Sequence, residues 1–578
     1  MSKPAYSKKK TAFGAVFAVL GLALILLLPA PTLARERSQN EPVENVESVI
    51  VKAASVGHAE VLVREVGGRV THKLGIIKAV AANVTAKQRA ELEAMKGGIR
   101  IHANHTATLD GKPTKGGNGQ VVETYYPTHL GADQLHIAGI YGTGVTIAVL
   151  DSGAFGSGSG GLKLNISGSN RVLAHYDPVT DYLLEGKSMP EDEFGHGSHV
   201  TSVAVSSRQT ETGTFNGMAP DADLVVVQAF GATGSSTYAD VIRGIDWVVT
   251  NKDTYGIRVL NCSFSAEPQS YYWDDPLNQA VMEAWRSGIV VVASAGNRGP
   301  SAMTIGVPGN VPYIVTVGAM TDNYTPADAA DDFLATFSSA GPTVEGFVKP
   351  EMVAPGGHVK AVMKDTARIA LDHPEFHDGG YYMNLSGTSQ ATAFVTGIVA
   401  LMLQQSPQLT PDEVKYRLMD TARVAVDPST GGLAYGVFQQ GAGLVNAYDA
   451  AHSLATGTAN RGLDIDADLA GTLRFKGPAN AYQEEDGRYV YYVTDGNGNL
   501  LGDGFLWSDG FLWSDGFLWS DGFLWSDGFL WSDGFLWSDG FLWSDGFLWS
   551  DGFLWSDGFL WSDLTTEALF TESWIPQE

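Results

Sequence analysis

Ser389 is the residue of this chain best placed to act as a nucleophile. It lies among small residues in SGTSQATAF, residues 386–394, and an apolar run long enough for a buried helix follows directly. At a helix N-terminus the backbone N–H groups point outward and the helix dipole favours negative charge, which suits a serine whose attack creates an oxyanion. Small polar residues also make ordinary helix caps, so this stretch alone leaves both interpretations open.

Asp151 ends a second stretch, IAVLDSG, at residues 147–153. The four apolar residues before it predict a short buried strand, and Ser152 and Gly153 follow it. Ligands bind outside the carboxyl ends of strands in open α/β sheets, so this position favours a chemical role. In isolation, the DSG sequence would favour a helix or turn cap.

His196 lies between two glycines in a third stretch, FGHGSHVTSVAV, residues 194–205. The glycines leave space around the imidazole and allow a tight backbone turn. His199 follows three residues later, which raises the alternative of a metal site. Zinc sites of the HExxH type need a spacing of four and a glutamate, and neither is present, so a packing role is expected for His199.

Asn297 completes the set, because it follows the apolar strand of IVVVASAGNRGP, residues 289–300. It is either an ordinary turn asparagine or a side-chain N–H donor aimed into the same cleft. Together the four residues predict an acyl-transfer site. Asp151 would orient His196, His196 would take the proton of Ser389, and Asn297 with the Ser389 amide would hold the oxyanion.

These stretches resemble those of the subtilases, the subtilisin-like serine peptidases, in sequence and in the chain order aspartate, histidine, serine. The resemblance covers roughly residues 127–455. It implies an α/β fold with a doubly wound, mostly parallel sheet and helices on both faces, and a triad of Asp151, His196 and Ser389 with Asn297 as oxyanion donor. Further matching stretches are NGMAPDADLVVVQAF (216–230), FSSAGP (337–342), KPEMVAPG (349–356) and GAGLVNAYDAA (441–451).

The resemblance also implies how peptides bind, as an added β-strand between two edges of the enzyme. One departure is Gln390, which stands after the nucleophile where the family commonly has methionine. A second is Ser265, which stands where a glycine is usual and predicts a narrower primary pocket. A glycine at the base of that pocket predicts a preference for large apolar residues before the scissile bond. The implied substrate-binding residues are Gly231, Gly234, Ser263, Phe264, Ser265 and Gly306.

Composition limits the other classes of function. The 578 residues carry a formal net charge of −27, which argues against nucleic-acid binding because phosphate contacts need clustered Lys and Arg. Cys262 is the single cysteine, so no intrachain disulfide can form, and its apolar surroundings predict a packed thiol.

The N-terminus predicts export. Lysines at 8–10 precede an apolar run over 11–29, and residues 32–34 form a small-residue cleavage site, so residues 1–34 are interpreted as a signal peptide. An uncleaved membrane anchor is the alternative, because the apolar run almost spans a bilayer. The mature enzyme is therefore expected to be extracellular.

Residues 41–110 predict a small α+β module with the order β-α-β-β-α-β. It resembles the propeptide of subtilases, which assists folding and then occupies the cleft as an intramolecular inhibitor. A permanent accessory domain is the alternative. Glycine-rich residues 110–120 predict a cleavable linker, with the cut somewhere in 104–127. The predicted elements are strands at Val49–Ala53, Lys78–Val84 and Ile99–Asn104 and helices at Ala59–Val66 and Lys87–Lys96.

A hexapeptide, DGFLWS, repeats ten times without substitution from Asp503 to Ser562. Its even length keeps Phe and Trp on one face of a strand, and Asp-Gly favours hairpin turns, which predicts a β-meander or stacked solenoid. The repeat region, 502–563, follows a linker or small β segment at 456–501 and precedes a tail at 564–578. Its aromatic residues favour contact with the cell surface, whereas perfect identity favours a tandem array without a specific role.

The leading hypothesis is therefore an exported, autoprocessed serine endopeptidase that acts on protein or peptide substrates and needs no cofactor for catalysis. The alternative class is a surface-binding protein in which the repeats act. DIDAD (464–468) and DGNGN (495–499) begin like EF-hand loops but lack the glycine at loop position six and the glutamate at position twelve. Calcium is therefore expected only as a structural ion bound through scattered loop oxygens.

Overall fold

The structure is a computed structural model of the whole chain. It describes residues 46–95, 98–109, 112–113, 125–155, 161–185, 191–325, 331–427, 433–483, 489–494 and 500–506, and short strands within 517–548. The predicted signal peptide (1–34), most of the predicted cleavable linker (110–120), most of the repeats, the DGNGN stretch and the tail (564–578) lie outside the described residues. None of the helices in the described ranges is long and apolar enough to cross a membrane.

A nine-stranded sheet forms the centre of the catalytic domain, with strand order β16-β15-β14-β12-β7-β10-β8-β9 and β17 pairing with β15. The inner strands pair in parallel, whereas β9 and β16 pair antiparallel at the two ends. Strands buried on both faces need continuous apolar runs, and these strands have them. The bounds are β7 (Thr146–Asp151), β8 (Val172–Asp177), β9 (Tyr182–Glu185), β10 (Asp223–Gln228), β12 (Ile257–Cys262), β14 (Val290–Ser294), β15 (Val315–Thr321), β16 (Phe333–Leu334) and β17 (Met352–Pro355).

Helices α5, α9 and α12 pack with one another, α6 packs with α7, and both groups contact the sheet. This arrangement agrees with the doubly wound fold predicted from the sequence. Several helices start at side-chain caps, such as Thr410, which forms a capping box with Glu413. The helices are α3 (Tyr126–His129), α4 (Ala132–Ile137), α5 (His196–Val205), α6 (Tyr238–Tyr255), α7 (Pro276–Arg286), α8 (Arg368–Asp372), α9 (Thr388–Gln405), α10 (Pro411–Asp420), α11 (Val437–Gln440) and α12 (Ala447–His452).

The N-terminal module has the element order that its pattern predicts, and its sheet order is β2-β3-β1-β4 with antiparallel pairs. It has its own apolar core between this sheet and two helices. Its surface contacts α6 and α7 of the catalytic domain. The elements are β1 (Val46–Lys52), α1 (Val56–Glu65), β2 (Arg69–Leu74), a short 3-10 helix (Gly75–Ile77), β3 (Ala79–Thr85), α2 (Ala86–Glu93) and β4 (Arg100–Ala103).

Two small sheets join the end of this module to the catalytic domain. The first has the order β11-β5-β13 and the second the order β18-β19-β6. In both, one strand comes from residues 106–113. The strands are β5 (Thr106–Leu109), β6 (Lys112–Pro113), β11 (Ser235–Thr237), β13 (Phe264–Ser265), β18 (Val359–Val362) and β19 (Tyr382–Ser386), and a 3-10 helix at Pro374–Phe376 lies between the last two.

The C-terminal part continues beyond the catalytic domain with a short helix and a three-stranded antiparallel sheet. The third strand contains the start of the first hexapeptide. Within the repeats, the described strands pair antiparallel, β23 with β24 and β25 with β26. The bounds are α13 (Ile465–Leu469), β20 (Ala479–Gln483), β21 (Tyr489–Thr494), β22 (Leu500–Leu506), β23 (Phe517–Trp519), β24 (Phe523–Trp525), β25 (Trp543–Ser544) and β26 (Phe547–Leu548).

Candidate active site

Asp151 is the last residue of β7, and its side chain is fully buried. The amide of Ser152 donates to Asp151 Oδ1 at 2.7 Å, and the Ser152 hydroxyl accepts the amide of Gly197 at 2.9 Å. A Cβ at Gly197 would lie 2.1 Å from the carbonyl oxygen of Gly153. Only glycine therefore allows α5 to approach the end of β7 this closely.

His196 is the first residue of α5, and its ring is fully buried beside Asp151. Its Nδ1 lies 2.9 Å from Asp151 Oδ1 and 3.0 Å from Oδ2. A carboxylate can only accept, so Nδ1 carries the proton and Nε2 is the basic nitrogen of the neutral ring. The pair has the geometry of a base and the group that orients it.

Asp192 holds the turn that leads into α5. Its Oδ1 accepts the amide of Gly195 at 2.7 Å, and its Oδ2 accepts the amide and the hydroxyl of Ser198 at 2.7 and 2.8 Å. These bonds satisfy first-turn donors of the helix that carries His196. Burial raises the pKa of Asp151, Asp192 adds to the effect, and the imidazole of His196 opposes it.

Ser389 is the second residue of α9, as the sequence predicts for a serine at a helix N-terminus. Its hydroxyl donates to the carbonyl oxygen of Ser263 at 3.0 Å, and the Ser263 hydroxyl donates to the carbonyl oxygen of Ser389, also at 3.0 Å. Asn261 donates to the Ser263 hydroxyl at 2.9 Å and accepts from Thr396 at 2.8 Å. This network fixes the first turn of α9 against the strand that precedes β13.

Asn297 lies three residues after β14 and is half-buried. Its Oδ1 accepts both the amide and the hydroxyl of Thr388, each at 3.0 Å. Both acceptor bonds go to the residue before Ser389, which leaves the N–H₂ group as the donor end of the amide. The structure thus places the Asn297 side-chain amide next to the backbone at Ser389, as the sequence predicts.

His199 has the packing role that the sequence predicts. Its Nε2 donates to the carbonyl oxygens of Val359 and Met383, both at 3.1 Å, and Gln390 Nε2 donates to its Nδ1 at 3.4 Å. Burial lowers the pKa of His199 to about 3, so the ring stays neutral. In the described part of the chain, no cluster of three or more His, Cys, Asp or Glu side chains could hold a metal ion. Cys262 is buried, which raises its thiol pKa.

The two predicted substrate-binding edges hold the chain's own strand β5. Thr108 pairs with both Ser235 and Ser265, and Leu109 pairs with Phe264. The amide of Leu109 also donates to the carbonyl oxygen of Gly234 at 3.1 Å, and Gly234 closes a turn with Gly231. The groove between β11 and β13 thus holds a strand of the chain itself by backbone pairing, which is the geometry of strand addition.

Gly306 lies against Ser265. A Cβ at Gly306 would be 2.8 Å from the Cβ of Ser265, so Ser265 takes part of the space that this glycine leaves. Val307 and Ala266, the next residues on each side, exchange two backbone hydrogen bonds at 2.8 and 2.9 Å. The two sides of the predicted primary pocket are thus joined directly.

Comparison with known proteins places the chain in a family. The Subtilase family (peptidase S8) matches residues 142–451. The chain is 39% identical over 279 residues to the serine protease AprX of Bacillus subtilis, covering 47% of this chain and 60% of AprX. It is 31% identical over 322 residues to subtilisin DY of Bacillus licheniformis, covering 55% of this chain and 95% of that protein.

Among solved structures, the chain resembles the crystal structure of fervidolysin from Fervidobacterium pennivorans, a keratinolytic enzyme related to subtilisin. The TM-score is 0.55 at 22% identity, with 79% of this chain and 68% of that chain covered. This likeness shows the fold. The family match and the relatives confirm the resemblance, and the chain belongs to the Subtilase family. It is a serine endopeptidase of that family, whose catalysis needs no cofactor.

Several polar residues of the site were missed by sequence reasoning: Ser152, Asp192, Ser198, Asn261, Thr388 and Thr396. Each acts by orienting a neighbour, and, apart from Asp192, nothing in its local pattern distinguishes it from a turn, strand or helix residue. Asp192 carried the one usable signal, because an aspartate four residues before a helix-starting histidine can cap that helix.

Proposed function

We propose that this chain is the zymogen of an exported serine endopeptidase that acts through an acyl-enzyme on Ser389. Ser389 Oγ attacks the scissile carbonyl carbon while His196 Nε2 takes its proton. His196 then gives that proton to the leaving amine, and the C–N bond breaks. Water attacks the acyl-enzyme by the same route and releases the second product.

The observation that carries this proposal is the buried hydrogen bond of 2.9 Å between His196 and Asp151. It supports Asp151 as the group that sets the tautomer of the base and stabilises the imidazolium. In the reaction the Ser389 hydroxyl exchanges its bond to the Ser263 carbonyl for one to His196. Asn297 and the Ser389 amide are proposed as the oxyanion donors, worth about 3 kcal/mol each by analogy with such donors elsewhere.

The N-terminal module, 41–110, is proposed as a propeptide that inhibits the enzyme in cis. Support comes from β5, which fills the groove between β11 and β13, and from the complete burial of Ser389 and His196 while it is there. The module is anchored by His72, whose Nε2 lies 2.9 Å from Asp240 Oδ1, and by the amide of Ile76 on Asp246 at 3.1 Å.

The strand register supports a cut between Leu109 and Lys112. Thr108 pairs with Ser265 and Leu109 with Phe264, and the carbonyl of Ser263, the residue before Phe264, contacts Ser389. On the other side, Lys112 pairs with Ser386. We therefore propose that autoprocessing cuts the bond after Asp110. A cut in cis tolerates a residue that fits the primary pocket poorly, because the effective concentration is high.

For substrates in trans we propose a preference for large apolar residues before the scissile bond, supported by Gly306 and limited in size by Ser265. Export is proposed from the basic and apolar N-terminal sequence, residues 1–34. Structural calcium stays a prediction. The repeats are proposed as an appended region that hydrolysis does not need, with contact to the cell surface as their candidate role.

Labelling of the secreted mature chain with a fluorophosphonate tests the proposal. Mass spectrometry should find the adduct on Ser389 and a new N-terminus at Gly111. An adduct on another serine would overturn the assigned nucleophile. A mature chain that keeps residues 46–109 covalently attached would overturn the zymogen proposal and leave the nucleophile standing.

A further inference from the structure

The segment that follows β13 carries three consecutive aromatic residues, Tyr271, Tyr272 and Trp273. We call residues 266–275 the aromatic loop. It joins β13 to α7, and Asp275 at its end caps α7 by accepting two first-turn amides. The loop therefore determines where β13, a predicted substrate-binding strand, ends and where α7, which contacts the N-terminal module, begins.

Residues 460–477 contact this loop from the C-terminal side, and we call them the C-terminal strap. They lie beyond residues 142–451, which the family match covers. Asp468 in this strap is only 1% exposed. Its Oδ2 accepts the hydroxyls of Tyr272 at 2.6 Å and Tyr313 at 3.1 Å, and its Oδ1 accepts from Arg474 at 2.9 Å. Three donors offset the cost of burying this carboxylate.

Other contacts between the C-terminal strap and the aromatic loop lie close to Asp468. The Arg474 guanidinium stands 5.7 Å above the ring of Trp273, and Trp273 stacks on Tyr271 at 4.5 Å. Glu345 links the two segments through its backbone and its side chain. Its carbonyl oxygen accepts the amide of Gly477 at 2.8 Å, and its Oε1 accepts the amide of Tyr272 at 2.7 Å.

Tyr272 is therefore fixed at both ends, by Glu345 at its amide and by Asp468 at its hydroxyl, and its side chain is fully buried. Eight residues earlier, Phe264 pairs with the extended strand in the groove. Backbone pairing in that groove requires β13 to be held in register with the incoming peptide. Short substrates that contact only the primary pocket form fewer backbone hydrogen bonds with β13.

We propose that the C-terminal strap belongs to the substrate-binding apparatus of the enzyme. Asp468, acting through Tyr272, is a positioning residue that holds the aromatic loop, and with it β13, in the form that binds extended peptides. The proposal rests on the proposed function, since it concerns binding at the same cleft. It assigns a role to a segment that the sequence alone predicts as part of a linker or small β segment.

The test compares a peptide of six residues with a single-residue ester on the mature enzyme and its Tyr272→Phe variant. Loss of one hydrogen bond to a carboxylate should raise KM for the peptide about three- to tenfold, with kcat and the ester kinetics unchanged. Equal kinetics for Tyr272→Phe and the parent on the peptide would overturn the proposal.

Two matched controls separate positioning from general stability. Tyr313→Phe removes a hydroxyl from the same Asp468 oxygen without touching the aromatic loop. Asp466→Asn changes a neighbouring residue of α13 whose side chain is 74% exposed. Neither should change KM. A rise for Tyr313→Phe equal to that for Tyr272→Phe would show a structural role for Asp468 and overturn the proposal.

Amide hydrogen exchange supplies a measurement that does not depend on activity. Exchange within residues 266–275 should be faster in Tyr272→Phe than in the parent or in Tyr313→Phe. Unchanged exchange in all three would overturn the proposal even if the parent showed no peptidase activity. Failure of the proposed function would instead appear as a parent that hydrolyses neither substrate, so the two failures are distinguishable.

Discussion

At the scale of residues, the site depends on buried polar side chains that each have one orientation. Asp151 sets the tautomer of His196, Thr388 sets the amide of Asn297, and Asp192 sets the turn before His196. Buried polar groups without partners cost free energy, so a satisfied network selects a single arrangement. Preorganisation of this kind is what acyl transfer needs, because the donors are in place before charge develops.

The pH dependence of kcat/KM should report one ionisation on its acid side. Protonation of His196 removes the base, so activity should fall as pH is lowered. Burial lowers the pKa of His199 to about 3, so this second histidine stays neutral throughout. A plot of log kcat/KM against pH should have a limiting slope of one on its acid side. A slope of two would mean that His199 titrates as well, and activity that rises toward low pH would contradict the role of His196.

Ser265 should limit the size of the residue accepted before the scissile bond. Its Cβ fills space beside Gly306, so Ser265→Gly should open the pocket. We expect the ratio of kcat/KM for phenylalanine over alanine substrates to rise about three- to tenfold, as expected for one or two more buried methylene equivalents. Ser235→Ala, on the opposite edge of the groove, is the control and should leave this ratio unchanged. An unchanged ratio in Ser265→Gly would place the primary pocket elsewhere.

At the scale of elements, two segments outside the family match complete the groove. Strand β5 of the N-terminal module lies between β11 and β13, and the C-terminal strap holds the loop after β13. The contacts of the strap include Glu345, whose buried carboxyl accepts the amide of Tyr272. Binding strength at this groove is thus set partly by elements far from Ser389 in sequence.

Glu345 should make the enzyme less stable as pH rises. Burial raises its pKa to about 7 from an ordinary 4.5. Between those two pH values the folded state keeps the proton that the unfolded state has lost, so stability falls as pH increases through this window. Glu345→Gln cannot ionise, so its advantage in thermal midpoint over the parent should be absent near pH 4 and complete above pH 7. The corresponding gain in free energy of unfolding should not exceed about 3 kcal/mol.

Ser389→Ala is the proper background for that measurement, because autolysis is then excluded. Glu375→Gln, at a side chain that is 58% exposed, serves as the control and should show no such trend. A difference in midpoint between Glu345→Gln and the parent that stays constant from pH 4 to 8 would argue against the raised pKa of Glu345.

Much of the fold was predictable from the sequence, and the reasons are local. The apolar run before Asp151 predicted β7, and alternating or continuous apolar residues in the N-terminal module predicted β1, β3, β4 and the two helices to within a few residues. The family resemblance implied the edge that contains β13, whereas β5 was not predicted as a strand, because it forms only by pairing with β11 and β13. The contacts of the C-terminal strap, which lies in the predicted linker or small β segment, were not predicted, because the partners of Asp468 lie about 150 and 200 residues away and no local pattern reveals them.

At the scale of the whole molecule, the proposed roles of the repeats and of the catalytic machinery can be tested separately. Deletion of residues 507–563 keeps β20, β21 and β22 in the chain and should change kcat/KM on peptides less than twofold, because every residue assigned to the candidate site precedes them in sequence. Fractionation of cells and medium then tests the surface role. Retention at the cell surface that is lost in the deletion would support it, and unchanged distribution would favour a tandem array without a specific role. A large loss of peptide hydrolysis would contradict the separation of roles.

The same serine should both mature the chain and hydrolyse substrates. The most direct measurement is the intact mass of the secreted Ser389→Ala chain together with its rate of peptide hydrolysis. We predict an uncut chain, with residues 46–109 still attached, and a loss of turnover approaching the roughly 10⁶-fold seen in subtilisin itself. A Ser389→Ala chain that still loses its N-terminal module when purified alone, or that hydrolyses peptides at the parental rate, would contradict the account.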